Sequence, residues 1–295
     1  MVKKQINGID CFLSDKLASI GAPHAFTTRR GGVSNGVFDS LNVSTRRKDV
    51  DGNTDSYENT VENFRRVTSL VGASPDNSVC AHQVHGNTVL ELDETFCGMG
   101  ILRSAAKNID GDGLFVSSDK VGIGSICVKS ADCTPILFAD KRLGSVCAAH
   151  SGWRGTVLDI PGEAVRTMLR SGSCTEDIYC AVGPCIGVCC YEVSEDVYLA
   201  AKEVLTARGA VSLLNEIFIN ERGTESGRKF DFDIGRMCAA LVELAGIPKE
   251  NIDLMNICTC CSSDQDGRIF FSHRGQRGYS GTFASVIAPF EGTHI

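Results

Sequence analysis

Two histidines and one cysteine carry the clearest chemical potential in this sequence. His85 lies in Ala81-His82-Gln83-Val84-His85-Gly86, Cys133 in Ser130-Ala131-Asp132-Cys133-Thr134-Pro135, and His150 in Ala148-Ala149-His150-Ser151-Gly152-Trp153-Arg154-Gly155. Each segment sits at the end of an apolar, strand-like run and leads into turn residues, where folds present reactive side chains. An imidazole, a thiolate and a second imidazole make a three-ligand zinc set that leaves a fourth position for water or substrate. The same residues can instead supply a cysteine nucleophile and its histidine base. The separations are long, unlike a close C-x-x-C pair, so spacing alone leaves both readings open, together with the reading in which the three share no site.

Other residues bear on the same question. Asp132, directly before Cys133, can orient a ligand from behind. Asp110-Gly111-Asp112-Gly113 reads first as a turn and second as the source of an acidic site residue, and it lacks the later ligands of an EF-hand. His82 stands three residues before His85, so in a strand it faces the opposite side and reads as structural or supporting. Three loops combine arginine with glycine: Thr27-Thr28-Arg29-Arg30-Gly31-Gly32-Val33-Ser34, Trp153-Arg154-Gly155-Thr156, and Ser272-His273-Arg274-Gly275-Gln276-Arg277-Gly278. Guanidinium forks and glycine amides suit phosphate or carboxylate, although loop arginines are commonly just solvated. None matches a P-loop or a G-x-G-x-x-G fingerprint. Two cysteine groups, Cys185-Ile186-Gly187-Val188-Cys189-Cys190 and Cys258-Thr259-Cys260-Cys261, together could make a structural zinc cage or a redox pair. Neither has a second C-x-x-C or a histidine pair nearby, so the sequence favours separate thiols.

Composition narrows the function classes. With 295 residues, 43% of them hydrophobic and 22% charged, the chain is that of an ordinary globular protein with a sizeable core. A net charge of −7, with no basic run beyond Arg46-Arg47-Lys48, argues against nonspecific nucleic-acid binding. No apolar run reaches the ~18 residues of a membrane span. The segment Met1-Val2-Lys3-Lys4-Gln5-Ile6-Asn7-Gly8, followed by Asp10, lacks the apolar core of a signal peptide. The expectation is a cytoplasmic protein with no membrane partner. The 15 cysteines are odd in number, which argues against a disulfide framework. Many of them, such as Cys127, Cys147, Cys180 and Cys238, lie in apolar runs where a thiol acts as a small hydrophobe.

The elements that must position these residues are mostly strands. Short runs rich in Val, Ile and Phe occur at Ser78–Ala81, Thr88–Leu92, Gly113–Val116, Val121–Val128, Pro135–Ala139, Ser145–Ala149, Ile178–Val182, Ile252–Ile257 and Thr282–Ile287. Helical periodicity marks Tyr57–Val71, Pro161–Arg170, Ser194–Ala207 and Asp233–Ala245. Several strands follow one another between residues 78 and 150. That pattern predicts an α+β fold with mixed β-sheets rather than a doubly wound parallel sheet. No repeat or long linker divides the chain, so a single domain over residues 1–295 is expected.

Taken in order, these segments resemble the YfiH-like family, also called the multicopper polyphenol oxidoreductase (laccase) or peptidoglycan editing factor family. The resemblance rests on Arg29-Arg30-Gly31-Gly32-Val33-Ser34, Ser40-Leu41-Asn42-Val43, Gln83-Val84-His85-Gly86, Asp112-Gly113-Leu114, Ala131-Asp132-Cys133-Thr134-Pro135 and Ala149-His150-Ser151-Gly152-Trp153-Arg154-Gly155. It continues through Gly183-Pro184-Cys185-Ile186-Gly187, Cys189-Cys190-Tyr191-Glu192-Val193, Cys258-Thr259-Cys260-Cys261 and Phe270-Phe271-Ser272-His273-Arg274, covering about residues 24–288. It implies an α+β sandwich covered by helices, related to cysteine deamidase toxins. It also implies zinc on His85, Cys133 and His150, and a cytosolic enzyme acting on purine nucleosides. Such an enzyme phosphorolyses adenosine, inosine, guanosine and methylthioadenosine with inorganic phosphate, and deaminates adenosine. The chain departs from the family pattern where C-T-Y-C becomes Cys258-Thr259-Cys260-Cys261, and where S-Y-R-R or S-H-R-R becomes Ser272-His273-Arg274-Gly275, a change that bears on substrate preference.

On this reading Arg29, Arg154 and Arg274 are the candidates for holding phosphate. Asp132 and Asp112 are the candidates for orienting groups or accepting a proton, and Cys133 counts as both ligand and catalytic residue. The molecule is expected to be a monomer or homodimer. The rivals are a metal-free amidohydrolase using Cys133 and His150, a copper-dependent (Cu2+) polyphenol oxidase, an editing role on peptidoglycan precursors, and a non-enzymatic interaction protein with a structural zinc.

Overall fold

A computed structural model describes residues 2–102, 110–119, 122–225 and 227–293. Two six-stranded mixed sheets dominate it. The first runs Val2–Ile6, Ile9–Leu13, His24–Thr27, Phe283–Ile287, Ser125–Ser130, Ser78–Cys80. The second runs Ile252–Leu254, Ile178–Val182, Thr134–Asp140, Val146–Ser151, Gly113–Val116, Val89–Glu91. The α+β sandwich expected from the sequence is therefore the observed fold. Most neighbouring strands are antiparallel; Ser78–Cys80 with Ser125–Ser130, Val89–Glu91 with Gly113–Val116, and Ile178–Val182 with Ile252–Leu254 are parallel.

Alternation along the strands explains the layering. In Thr134–Asp140, Leu137 and Ala139 point to the core between the sheets, beside Phe26, Ile126, Val128 and Phe283 from the first sheet. Ile136 and Phe138 point the other way, onto Ala164, Met168, Met237 and Leu241 of the helices Ile160–Arg170 and Ile234–Leu244. The outer face of the first sheet carries Cys11, Ala25, Cys127 and Val286 and is covered by Phe64 and Val67 of the helix Tyr57–Ser69. The central strands of each sheet are thus buried on both faces, which is why they read as continuous apolar runs rather than as alternating patterns. Each large side chain so buried contributes about 1.5–3 kcal/mol.

All four expected helices form, as Tyr57–Ser69, Ile160–Arg170, Glu195–Ala207 (after Ser194) and Ile234–Leu244. The expected strand Val121–Val128 is shifted to Ser125–Ser130, and its first residue lies outside the described residues. Three features carried no sequence expectation. The hairpin Val2–Ile6/Ile9–Leu13 turns on Asn7 and Gly8, both at positive φ (51° and 79°), the conformation a two-residue hairpin turn requires. The charged pair Phe218–Thr224/Gly227–Phe232 is mostly solvent-facing and lacks a core signal. The five-residue helix Trp153–Val157 begins directly after the His150 strand.

Buried His24 fastens the turn before its own strand and has a consequence for acid stability. The amide of Ser14 donates to His24 Nε2 at 2.8 Å, and His24 Nδ1 donates to the Ala22 carbonyl at 2.8 Å. That pattern requires neutral imidazole, and burial pushes the ring's pKa below its ordinary value. The unfolded chain then takes up a proton below about pH 6.5 that the folded chain refuses. Stability is expected to fall as pH drops below that point, by up to about 1.4 kcal/mol per unit from this group. Denaturant titrations at pH 7.5, 6.5 and 5.5 on wild type and His24→Gln check this; equal pH slopes in the two proteins would remove His24 as the cause.

Candidate metal centre and cavity

Strand order alone brings the three candidate ligands together. Thr134–Asp140 and Val146–Ser151 are antiparallel, with Pro135 opposite His150. Gly113–Val116 is antiparallel to Val146–Ser151, with Gly113 opposite Ala149. The start of one strand, the end of the next and the start of the third therefore share one end of the sheet. Cys133, His150 and Asp112 occupy those positions. The loop carrying His85 precedes Val89–Glu91, which is parallel to Gly113–Val116, and so it arrives at the same end.

The donor atoms of His85, Cys133 and His150 all lie within 4.8 Å of one another. His85 Nε2 is 3.9 Å from Cys133 Sγ, and the two imidazoles meet edge to face with centroids 5.0 Å apart. Asp112 builds this geometry. Its buried carboxylate accepts from His150 Nδ1 at 2.9 Å and from the amides of Val84 (3.1 Å), His85 (3.0 Å) and Gly86 (2.7 Å). One side chain thereby fixes the ring orientation of His150 and the backbone of the His85 loop, leaving His150 Nε2 facing the thiol. A carboxylate behind a ligating imidazole is the usual outer support of a metal site. His85 itself is at φ 63°, a left-handed conformation held by those amide bonds. Gly152 completes the fit: a Cβ there would lie 2.8 Å from His85 Cδ2 and 3.1 Å from Cys133 Sγ.

Electrostatics favours the ligand form of the thiol. Burial works to raise the Cys133 pKa, but the adjacent His150 and then His85 outweigh it and bring it down to about 6. Burial likewise opposes the charge on His150, yet the Cys133 thiolate and Asp112 lift it to about 9. Two imidazoles and an easily formed thiolate, open on one side to a cavity, are a donor set that fits zinc with a free position, and also copper.

The open side is a cavity of about 430 Å³. Trp153, Ile186, Tyr191 and Ile234 give it apolar and aromatic walls, and Arg47, Arg154 and Arg274 give it a cationic rim beside His273, whose charge burial and Arg47 disfavour. Arg154 stacks on Trp153, its guanidinium 4.4 Å from the ring centroid. Arg274 donates to the carbonyls of Cys190 (3.0 Å) and Glu192 (3.4 Å) and covers Tyr191. Arg47 lies 3.4 Å from His273 Nδ1. Among the described residues none of these three arginines is in an ion pair. Three guanidinium groups without carboxylate partners on one concave wall suit an anion.

Of the residues singled out in the sequence, His85, Cys133, Asp132, Arg154 and Arg274 line this cavity, and His150 and Asp112 stand just behind it. Asp132, at φ 88°, aims its carboxylate away from the ligands: it accepts from Thr259 Oγ1 at 2.7 Å and from the Arg274 amide at 2.6 Å. It therefore positions the Arg274 loop, whereas Asp112 orients the ligands. Arg29 lies elsewhere. It donates to the Asp39 carbonyl at 2.6 Å, packs over Phe271 and lines a separate cleft with Arg30, Asp39, Ser40, Asp266 and Arg268. The segment around it is structural. Gly32 touches the 40–41 backbone so closely that a Cβ would overlap the Ser40 carbonyl, and Ser34, Asn42, Asp55 and Asn63 form a buried hydrogen-bonded network. His82 pairs with Asp110 at 2.8 Å, outside the ligand set.

The model of the family described as multi-copper polyphenol oxidoreductase laccase matches residues 23–289. The chain belongs to this family. A relative within reach is the Geobacillus stearothermophilus protein named purine nucleoside phosphorylase YlmD, 32% identical over 272 residues, 92% of this chain and 91% of that one. Another, named adenosine deaminase RL5 and from an unknown prokaryotic organism, is 30% identical over 88% of this chain and 91% of its own. The crystal structure of Bacillus licheniformis YfiH superposes with a TM-score of 0.82 at 26% identity, covering 97% of both chains.

Within this family fold, four contributors to the site went unread in the sequence. Gln83 of the Gln-Val-His segment clamps the loop by accepting from the Lys129 amide at 2.9 Å and donating to the Lys129 carbonyl at 2.7 Å, imitating a strand partner. Arg47 was visible only as part of a basic run. Trp153 and Tyr191 were visible as members of motifs, but nothing local said that they face each other's cavity.

Proposed function

We propose that the protein is a zinc-dependent purine nucleoside phosphorylase that also deaminates adenosine. The observation that carries this is the juxtaposition of an open three-ligand set with a cavity that is aromatic on its walls and cationic at its rim. The relatives' names, purine nucleoside phosphorylase and adenosine deaminase, support it at the level of the family. Adenosine, inosine, guanosine and methylthioadenosine are the substrates put forward, with inorganic phosphate as co-substrate and the cytoplasm as the place of action.

His85, Cys133 and His150 would hold the metal, which when bound lowers the pKa of a water to ~7 and thereby serves hydrolytic removal of an amino group. Trp153 provides an aromatic surface against which a purine packs, and Tyr191, stacked on Phe232 and covered by Arg274, lines the wall beside it. Tyr191 stays neutral because burial pushes its phenol pKa up. Arg154, with Arg47 and Arg274, binds phosphate beside the sugar, where the nucleoside's glycosidic carbon receives it as the purine leaves. Asp112 keeps His150 and the His85 loop in place throughout.

The test is to quantify bound metal, incubate the protein with adenosine with and without phosphate, and resolve adenine, inosine, hypoxanthine and ribose 1-phosphate. Phosphate-dependent adenine release is expected; no turnover of any purine nucleoside by zinc-loaded protein overturns the proposal. Arg154→Ala is expected to raise the apparent phosphate KM by about 10–100-fold, the equivalent of one lost charge-assisted contact. An unchanged KM would remove Arg154 from the phosphate site.

One observation favours a second reading. The Cys133 thiol, drawn down to about 6 by His150, is also a competent nucleophile. A cysteine amidohydrolase would keep full activity after chelation, whereas the metal reading requires activity to be lost; alkylation of Cys133 abolishes activity under both.

A further inference from the structure

A second cluster of soft ligands lies on the far side of the cavity wall. The Sγ atoms of Cys189, Cys190, Cys258 and Cys261 are all within 4.8 Å of one another, and the Cys189–Cys261 pair is at 3.5 Å. The sequence favoured separate thiols; the fold overrides that by topology. The strands Ile178–Val182 and Ile252–Leu254 are parallel neighbours, and the loops leaving their ends run side by side, joined by backbone hydrogen bonds where residue 185 passes residue 258. The Cys185 amide donates to the Ile257 carbonyl and the Thr259 amide to the Cys185 carbonyl. Gly187 permits the approach, because a Cβ there would sit 3.0 Å from Cys258 Cβ and 3.4 Å from both Cys189 Sγ and Cys258 Sγ.

We propose that these four cysteines form a closed tetrathiolate site for a structural zinc ion, separate from the His85–Cys133–His150 centre. A tetrahedral ion with Zn–S bonds near 2.3 Å spaces its sulfurs about 3.8 Å apart, within the range already present. Buried Cys258 is the anchor: the Gly187 amide donates to its sulfur at 3.2 Å, and the amides of Cys261 and Cys260 join it. Amide donors around a ligating sulfur are the outer support such sites use. Cysteine binds zinc as thiolate, and the ion supplies the positive charge that lets four sulfurs share one site.

The consequence for the active cavity is direct. Thr259, inside the Cys258–Cys261 loop, donates to Asp132, and Tyr191, next to Cys190, lines the cavity under Arg274. The ion would staple the two loops that set these residues.

The test is metal stoichiometry on protein purified under reducing conditions and reconstituted with zinc. Two zinc ions per chain are expected for wild type, one for His85→Ala and one for the double variant Cys189→Ser/Cys261→Ser, whose altered side chains are exposed and leave the core alone. Cobalt-loaded His85→Ala, which keeps all four cysteines, is expected to show intense tetrahedral thiolate absorption. The proposal is overturned by a single zinc in wild type that vanishes in His85→Ala, by iron in place of zinc, or by a Cys189–Cys261 disulfide in the reduced preparation.

Discussion

Cys133→Ser is expected to lose the metal at the His85–His150 centre and to lower both phosphorolysis and deamination of adenosine by at least about 100-fold. Loss of an outer support of a metal site already costs ~10–100-fold, and a direct ligand does no less. Serine keeps the size but replaces a thiol whose pKa is about 6 with a hydroxyl that does not ionise near neutrality. His150 then loses the thiolate that does most to lift its pKa against burial. His85→Ala run beside it separates the two readings of this centre. It removes a ligand but leaves Cys133 and His150 in contact, so the metal reading demands a comparable loss, and a nucleophilic cysteine demands that most activity survive. Steady-state rates with metal analysis on both variants decide; Cys133→Ser retaining activity within tenfold of wild type would sink the metal reading.

The second large effect falls on a residue that touches no substrate. Asp112→Asn preserves shape, yet its amide nitrogen must face one of four donors: His150 Nδ1 or the amides of Val84, His85 and Gly86. A buried donor left unmatched costs about 1–3 kcal/mol, and the His85 loop loses what holds its left-handed residue. Zinc affinity is expected to fall by about 10–100-fold, with a lower Tm even before metal is added. Competition with a chromophoric chelator and thermal melts of the metal-free protein measure the two effects. Unchanged zinc affinity would mean that the ring of His150 is oriented by something else. The same carboxyl is held below the ordinary carboxylate range by His150 and the loop amides, against its burial. Its contribution is therefore present above about pH 4 and lost as pH falls through its lowered value.

The sequence was most legible where one periodicity had one explanation. Tyr57–Ser69 shows apolar residues at helical spacing because it buries a single face, and Ile234–Leu244 reads as an apolar helix because it is buried nearly all round. The strands Gly113–Val116 and Ile178–Val182 appeared with correct bounds because they are apolar on both faces and end at turn residues. The polar hairpins failed for the opposite reason: Phe218–Thr224 is held by backbone pairing and surface charge, which leave no hydrophobic signature. At the site, residue types offered His85, Cys133 and His150 as one of several open readings, and the family resemblance singled them out as the set. Their placement was not legible, because it depends on strand order. Arg29 looked as suitable as Arg154 beside its glycines, and only the fold sends it to another cleft. Asp132 looked closer to the chemistry than Asp112 because it adjoins Cys133, yet its left-handed backbone turns it toward Thr259 and the Arg274 loop.

The position of Phe283–Ile287 has a consequence for how the chain is made. It is the last strand of the sequence, but it is an interior strand of its sheet, hydrogen-bonded to His24–Thr27 on one side and Ser125–Ser130 on the other. As synthesis proceeds from the N-terminus, those two partners emerge early and must wait as unpaired edges until residue 287 leaves the ribosome. Exposed edges of this kind are where chains stick to one another. Yield in cells should therefore depend on how long that waiting state lasts and on chaperones that shelter it, as well as on the stability of the finished molecule.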